Sequence, residues 1–325
     1  MPNPTSADLN YNQVLTDFSI AYVQDDSAFV AGQVFPVVPT EHQSGSYKKY
    51  LRGDWFRDEA EERSPGTEST GQGWALDADG TFFNRVYANH VDIDDQTRAN
   101  YREPIDADRE GTNLVSQRLL LKREIKWAAT YFKAGIWTTD YTGVAGAPAA
   151  NQVKQWDQAG STPIEDVAKL VLSVETLTGK VINTMVIHPA VFNALKNHAE
   201  ILDRIKYTQR GIVTLELLAS LFELDKVLIA RGIVNSSKKG VADAMGFVFS
   251  KGAFLCYAEP SPGIMKASAG YIFAWTGYAG AEAYAPAISN FRMQHLKSDR
   301  VEGEMAFDPE LVAADLGVFI ATVVA

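Results

Sequence analysis

The hydrophobic and polar positions between Asp108 and Ala134 repeat with the period of an α-helix, and they predict one long helix. Asp106, Asp108 and Glu110 stand at its start, where carboxylates complement the free backbone N–H groups and the positive end of the helix dipole. Gly135 supplies a stop signal. The predicted helix spans roughly 40 Å, whereas a helix in a globular protein usually has about 11–12 residues. We therefore expect it to be the strut on which the other elements are organised.

Two apolar stripes run along this helix. The first, which we expect to cover the core, is formed by Leu114, Leu121, Ile125, Ala128 and Phe132. The second lies about 120° round the helix and is formed by Leu120, Trp127 and Tyr131. Two apolar stripes imply that the helix packs against two different surfaces. Periodicity alone favours a central helix of an ordinary domain, but the rest of the chain favours a strut that also touches another subunit.

Residues 1–41 contain short apolar pieces and prolines without long periodicity. This pattern predicts an extended arm laid across another surface. For Val34–Val38, a strand in the chain's own sheet is an equally good interpretation.

Residues 42–93 predict a long two-stranded hairpin, with Ser46–Leu51 and Phe82–Ile93 as its strands. A disordered loop is the alternative for residues 57–80, but the aromatic residues in and beside this tract are too many for a purely solvating segment. An isolated ribbon is marginal in water, so we expect it to need a partner. The candidate contacts with a neighbouring subunit are Trp55, Phe56, Arg57, Arg63, Trp74, Phe82 and Phe83 of the hairpin, and Leu120, Trp127 and Tyr131 of the helix.

Residues 138–162 form a connection that contains many small residues, glycines and prolines, and a second domain of short helices and strands is predicted to begin there, so the fold class is α+β. Thr162-Pro163-Ile164-Glu165 is a capped helix start, and the helix continues to Gly179. Further helices are predicted from Pro189 to Leu195 and from Leu215 to Phe222. Strands are predicted at Thr184–Ile187, Lys226–Ile233, Ala253–Tyr257 and Tyr271–Thr276, and then at Ala287–Lys297, Val301–Phe307 and Leu316–Val324. We expect the last three strands to pair beside the long helix.

Composition narrows the class of protein. The 325 residues, 46% hydrophobic and 22% charged, suffice for a substantial core. No apolar run approaches the roughly 18 residues of a membrane span and the first ten residues lack the features of a signal peptide, so we expect a cytosolic chain. Cys256 is the only cysteine, which excludes an intrachain disulfide. The formal net charge of −10 argues against a general phosphate-binding surface for nucleic acid.

Motifs for chemistry are missing from the sequence: it has no nucleophile elbow, phosphate loop, dinucleotide-binding glycine pattern or closely spaced histidine pair. Residues 77–80 resemble the start of a calcium loop, but Phe82 and Ala88 occupy the positions of the glycine and the bidentate acid, so a hairpin turn is the better interpretation. We interpret residues 92–95 as a solvated strand end, and His188 as a hydrogen-bonded strand-terminal residue. No enzyme activity, cofactor or metal is predicted.

In this order, an arm, a hairpin, a long spine helix, an α+β insertion and returning strands resemble the major capsid proteins of tailed double-stranded-DNA bacteriophages, which have the Hong Kong 97-type coat fold. Local sequence is also similar to that family, at FVAGQVFP (29–36), RSPGTE (63–68), LLLKREIKW (119–127) and IHPAVF (187–192) with Leu195. The resemblance implies an N-terminal arm (1–41), a hairpin or E-loop that reaches onto a neighbour (42–93), a peripheral domain (94–138 and 285–325) and an axial domain (139–284).

The resemblance further implies a structural protein that self-assembles into the pentamers and hexamers of an icosahedral shell enclosing double-stranded DNA without sequence-specific binding. The implied partners are further copies of the chain and separate scaffold, portal and decoration proteins, with no membrane. Assembly is expected in the bacterial cytoplasm, and the final location is the virion capsid. Two alternatives stay open: an α+β enzyme whose active site carries no motif, and another homo-oligomeric phage part such as a tail or decoration protein.

Some members of this family join a hairpin lysine covalently to an asparagine of the adjacent subunit. Lys48, Lys49 and Asn290 supply the residue types. However, the two lysines stand between Tyr47 and Tyr50 on a ribbon edge, where at least one faces solvent, whereas an amide-forming lysine must be neutral and dry. We therefore predict a shell held together by non-covalent contacts.

Overall fold

The computed structural model describes residues 24–76, 80–100, 106–206, 213–263, 265–279 and 284–325. Its strands are Val37–Thr40 (β1), Ser44–Tyr47 (β2), Gly80–Phe83 (β3), Arg85–Asp94 (β4), Thr139–Val144 (β5), Gln152–Lys154 (β6), Thr184–Ile187 (β7), Lys226–Ile229 (β8), Ile233–Asn235 (β9), Met245–Phe247 (β10), Ala253–Cys256 (β11), Gly270–Trp275 (β12), Ala287–Met293 (β13), Ser298–Leu311 (β14) and Gly317–Ala321 (β15). Its helices are Arg52–Trp55 (α1), Asp95–Asn100 (α2), Ala107–Tyr131 (α3), Pro163–Thr178 (α4), Pro189–Lys196 (α5), Ala199–Ile205 (α6), Leu215–Leu221 (α7) and Thr276–Ala279 (α8), and Asp26–Ala28 and Ala314–Leu316 form 3₁₀ turns.

Two sheets carry the fold. In the five-stranded sheet the order is β1-β12-β14-β13, and β4 pairs with β14 as well. The long strand β14 organises this sheet, since it pairs antiparallel with β4, β12 and β13. The six-stranded sheet has the order β6-β5-β15-β11-β7-β8. Two short ribbons, β2–β3 and β9–β10, lie outside these sheets.

The spine helix α3 is capped by Asp106, whose side chain accepts hydrogen bonds from the backbone N–H groups of Asp108 and Arg109. It lies on β14 at Gly303, where a Cβ atom would stand only 2.6 Å from Val115 Cγ1 and 2.8 Å from Leu119 Cδ1. Glycine is therefore favoured at this position, because the side chains of the helix lie so close to the strand backbone. The long helix and its acidic start are as predicted from the sequence.

The face of α3 that covers the core differs from the prediction. Val115 and Leu119 are buried, whereas Leu114 is 44% exposed and Leu121 is only half-buried. The predicted stripe is buried at its end, Ala128 and Phe132. The number of apolar residues favoured the wrong stripe. The helix lies close to β14 at Gly303, so a face that contains the small residue Gly111 fits against the sheet.

An aromatic cluster joins the two sheets at the C-terminal end of α3. Phe35 packs on Tyr131, with 4.6 Å between ring centroids, and on Trp127 at 6.1 Å. Trp127 in turn contacts Phe254 of β11 at 6.1 Å. The side chains of Trp127, Tyr131 and Phe254 are fully buried. The centre of the core is therefore the junction of the spine helix with the six-stranded sheet.

Two strands have other partners than the sequence predicts, and the described part of the predicted arm lies on this chain, since Phe29 to Phe35 contribute buried side chains. Strand β1 pairs in parallel with β12, which confirms the interpretation of Val34–Val38 as a strand in the chain's own sheet. The predicted second hairpin strand is divided, because β3 pairs with β2 but β4 pairs with β14. The last strand, β15, lies between β5 and β11 instead of beside the spine helix. Each error concerns a strand partner that is distant in sequence.

Most local predictions in the α+β part are confirmed. Helix α4 begins at Pro163, and Gly179 ends it in the left-handed conformation at φ 66°. Thr162 occupies the N-cap position, but its side chain makes no capping hydrogen bond, so the predicted cap is wrong. Strand β7 has the predicted bounds. Helices α5 and α7 and strands β11 and β12 begin within one residue of their predicted starts. Helix α6 was not predicted.

Candidate assembly surface

Aromatic stacking fastens the ribbon β2–β3 to the five-stranded sheet. Tyr47 is paired across the ribbon with Gly80, and Phe82 with Gly45, and each ring occupies the space that a Cβ atom on the opposite glycine would need. Both rings stack on Phe273 of β12, with centroid distances of 5.5 and 4.3 Å. The ribbon therefore has a surface of its own chain to lie on, which corrects the expectation that it has none. Phe82, a predicted intersubunit contact, contributes to this attachment.

Polar contacts fix the same end of the ribbon. The buried side chain of Asn84 donates a hydrogen bond to Thr40 Oγ1 at 2.8 Å, and the N–H of Phe83 donates to Asp308 Oδ2 at 2.9 Å. Glu310 follows Asp308 on the same face of β14. Burial and a hydrogen bond to Asp308 raise the pKa of Glu310 to about 7. The base of the ribbon is thus an ordered corner of this subunit.

Beyond this base the ribbon ends in a small ordered segment that we call the knob, residues 50–57 and 74–76. A bridge joins Tyr50 to Leu76, and Asp54 Oδ2 accepts a hydrogen bond from the N–H of Ala75 at 2.9 Å. The knob exposes its aromatic residues: Trp55 is 53% exposed, Phe56 65% and Trp74 69%. Apolar side chains that cluster at this level of exposure mark an interaction surface.

The charged residues of the hairpin make local, exposed contacts. Arg57 lies 3.3 Å from Asp54, and Arg63 donates to the carbonyl oxygen of Thr67. Exposed ion pairs of this kind contribute little to stability, typically about 0.2–1 kcal/mol, and exchange partners easily. Arg57, Arg63 and Phe83 therefore remain accessible at the surface, and Phe83 is 51% exposed.

The helix residues predicted to touch a neighbour lie differently. Trp127 and Tyr131 are fully buried within this chain, so they have no surface to offer another subunit and their assignment as intersubunit contacts is corrected. Large aromatic side chains on a second stripe signalled a second neighbour, but that neighbour is the chain's own six-stranded sheet. Leu120 is half-buried.

A buried clamp, which the sequence reasoning missed, holds the segment after the 3₁₀ turn to the spine helix. Glu124 is fully buried and accepts hydrogen bonds from the N–H groups of Val30 at 2.9 Å and Ala31 at 2.8 Å. Tyr284 donates its hydroxyl to the Ala31 carbonyl at 2.9 Å, and Arg123 lies over the Tyr284 ring. Burial raises the pKa of Glu124 to about 7. The signal in the sequence that could have indicated this clamp is the acidic residue Glu124, which lies on the same face of α3 as the buried apolar residues.

One serine and one histidine lie together in the α+β part. His198 Nδ1 accepts a hydrogen bond from the N–H of Glu200, which places the proton of the neutral ring on Nε2, 2.9 Å from Ser161 Oγ. Ser161 Oγ in turn donates to the carbonyl of Gln158 at 2.7 Å. The imidazole therefore donates to the hydroxyl instead of removing its proton, and the pair caps a helix start without activating a nucleophile.

Other candidates for chemistry have structural partners. His188 Nδ1 accepts a hydrogen bond from the N–H of Ala190 and caps α5, which confirms its predicted role. Within residues 92–95, Asp92 binds Arg300 and Asp95 binds Arg292. Cys256 is fully buried, and burial raises the pKa of its thiol far above the ordinary value. The predicted turn at residues 77–80 lies outside the described residues except for Gly80.

Neither a metal site nor a membrane-spanning helix is present among the described residues. No group of three or more His, Cys, Asp or Glu side chains in the described ranges is arranged to hold a metal ion. Among the helices described, none is both long and apolar enough to cross a membrane.

Comparisons with known proteins point in one direction, although no protein-family model matches the sequence. The chain is 25% identical over 316 residues to the major capsid protein of Burkholderia phage BcepMu, and the match covers 94% of each chain. A solved phage-related protein from Bordetella bronchiseptica RB50 matches with a TM-score of 0.68 at 18% identity, covering 92% of this chain and 94% of that one. The capsid structure of Cyanophage P-SCSP1u matches with a TM-score of 0.62 at 10% identity, covering 98% and 95%. The predicted coat fold is thereby confirmed.

Proposed function

We propose that this chain is the structural coat protein of a tailed bacteriophage, and that copies of it assemble into the closed shell that encloses the viral DNA. The observation that carries the proposal is the relative named as a major capsid protein, which is similar over 94% of both chains and so includes hairpin, spine helix and both sheets. The fold shared with the cyanophage capsid supports the same role.

The subunit also carries the kind of surface that a shell needs. Its hairpin is ordered at the base by Tyr47, Phe82 and Phe273, yet its knob leaves aromatic rings in solvent. A shell built from pentamers and hexamers repeats the same heterologous contact around each ring, so each subunit must present one surface that only another copy can cover. The proposed contact surface is the exposed set Trp55, Phe56, Arg57, Arg63, Trp74 and Phe83.

The finer features of the proposal follow from this role. The shell forms in the bacterial cytoplasm with separate scaffold and portal proteins, and its location is the virion. The formal net charge of −10 suits a shell that encloses DNA without binding it tightly. The subunit needs no catalytic site for this work.

Electron microscopy of the purified full chain tests the proposal. We expect closed, regular shells or ring-shaped capsomers when the chain is expressed in bacteria, because the exposed aromatic rings of the knob are unsatisfied in a single subunit. Tubes would indicate a tail protein. A sharp monomer peak at 35.6 kDa in sedimentation, stable at high concentration, would count against any coat role.

A pair of variants tests the contact surface. Trp74→Ala removes a ring that is 69% exposed on the knob, whereas Leu172→Ala removes a side chain that is 62% exposed on α4, outside the hairpin. We expect both variants to keep the far-UV dichroism of the native chain, and only Trp74→Ala to reduce the yield of shells. Equal yields for the two variants would show that the knob is not the contact surface.

A further inference from the structure

The knob rests on its own chain. Arg52 of α1 forms an ion pair with Asp315 in the 3₁₀ turn that precedes β15, 263 residues away in sequence. The Phe56 ring lies against the end of α4, where a Cβ atom on Gly179 would stand 3.4 Å from Phe56 Cε1 and Cζ. The tip of the hairpin therefore touches the α+β part of the same subunit.

The contacts that hold the knob on its own chain are few compared with the apolar surface that the knob exposes. Arg52 and Asp315 both remain partly exposed, at 46% and 32% of their side chains, and an exposed ion pair is readily exchanged. Phe56 keeps 65% of its surface in solvent in spite of its contact with Gly179. Trp55 and Trp74 also stay exposed, at 53% and 69%, so the docked position covers only a small part of the apolar surface.

We propose that the docked knob is an autoinhibitory latch, in which Arg52 and Phe56 hold the hairpin tip on Asp315 and Gly179 of the same chain until assembly pulls it away. The inference rests on the proposed function, since the latch is useful only if the knob later contacts a second copy of the chain. Phe56 belongs both to the latch and to the proposed contact surface, and its ring cannot pack on Gly179 and on a neighbour in the same way at once. Release of the tip therefore precedes, or accompanies, its contact with a neighbour, and the weak docking keeps that step fast.

The test links the two sides of the latch covalently. An Arg52→Cys, Asp315→Cys double variant is treated, as unassembled subunits, with a short bis-maleimide, because the cysteine side chain is much shorter than the arginine that it replaces and the reagent supplies the missing length. Cys256 is fully buried and is not expected to react. Each single cysteine variant, treated identically, is the matched control. The readouts are gel mobility under denaturing conditions and shell yield by electron microscopy.

We expect the linked chain to run as a single subunit with altered mobility and to lose at least tenfold in shell yield, while the untreated double variant and both treated single variants assemble. Asp315→Asn, which weakens the latch from the side that does not belong to the hairpin, is expected to speed assembly roughly two- to five-fold, the range implied by an exposed ion pair.

Three results would overturn the latch: linked chains that still form regular shells, linkage that yields multiples of the subunit mass, and an Asp315→Asn variant that assembles no faster than the native chain. Failure of the native chain to form shells would count against the proposed function. The cross-linking result would then still decide whether the knob docks on its own chain. Linkage inside one chain would support the docked position, and the absence of linkage would contradict it.

Discussion

Gly303 is the position at which the packing of the spine helix on the sheet can be tested most directly. The substitution Gly303→Ala places a methyl carbon 2.6 Å from Val115 Cγ1, 2.8 Å from Leu119 Cδ1 and 2.9 Å from Ile288 Cδ1. Carbon atoms pack best at about 3.5–4.0 Å, so each contact is too short by roughly 1 Å. Val115 and Leu119 are 0% and 2% exposed, which leaves them no solvent to move into. The helix must therefore shift, or its side chains must leave their preferred rotamers.

The magnitude follows from two opposing terms. Overpacking of a core costs about 1–3 kcal/mol. Replacing glycine by alanine lowers the entropy of the unfolded chain, which by itself stabilises by about 0.4–1 kcal/mol. We therefore expect Gly303→Ala to lower the free energy of unfolding by about 1–2 kcal/mol. The assay is urea unfolding of the unassembled chain at low concentration, followed by fluorescence of the buried Trp127 and Trp137.

Gly71→Ala is the matched control, because a Cβ atom at Gly71 has no atom of the described structure within 4 Å and its φ lies outside the left-handed region. This variant is expected to be neutral or slightly stabilised. A Gly303→Ala chain as stable as Gly71→Ala would refute the reasoning, since it would mean that α3 does not lie on β14 as closely as described.

Three further predictions concern polar groups. Glu124→Gln leaves one of two buried N–H groups poorly paired, and should cost about 1–3 kcal/mol in urea unfolding. Burial raises the pKa of Glu124 from 4.5 to about 7, so between these pH values the folded state holds a proton that the unfolded state releases. The contribution of Glu124 to the free energy of unfolding therefore falls as pH rises from about 4.5 to 7. Glu124→Gln should remove this pH dependence. Burial lowers the pKa of His188 below 6.5, so its contribution is present above pH 6.5 and is lost as pH falls through the folded pKa; His188→Ala should lose about 1 kcal/mol at pH 7.5, and His188→Asn, which can still cap α5, should lose less. Mature particles boiled in detergent and reductant should run as one band at 35.6 kDa; a ladder of multiples that Lys48→Arg or Lys49→Arg abolishes would contradict a non-covalent shell.

The parts of the fold that could be predicted are those whose signals are local. The proline in the first turn of α4 and the glycine that ends this helix each act within a few residues, and a four-residue apolar run suffices for a strand such as β7. The order of arm, hairpin, spine helix and insertion was enough to identify the coat fold, because that order is itself a property of the sequence.

The parts that could not be predicted depend on partners distant in sequence. Strands β12 and β15 are both short apolar runs, and neither sequence indicates its partner strands. In the structure β12 pairs with β1, and β15 lies between β5 and β11. The buried face of α3 depends on Gly303, nearly 190 residues away, which permits a closer approach than a strand with side chains would allow. The same applies to the candidate contacts, since burial of Trp127 is decided by Phe35 and Phe254.

The position of the aromatic residues along the hairpin separates folding from assembly. At the base, Tyr47 and Phe82 are satisfied by Phe273, so the direction in which the hairpin leaves the subunit is set when the chain folds. At the knob, Trp55 and Trp74 have no comparable cover within the described structure and stay exposed. Under the proposed function, a fixed base lowers the entropy lost when the knob contacts a neighbour, because the base is already in place and only the tip has to be repositioned. The proposed hairpin therefore combines an anchor that belongs to the core of its own subunit with a surface that a second copy of the chain covers.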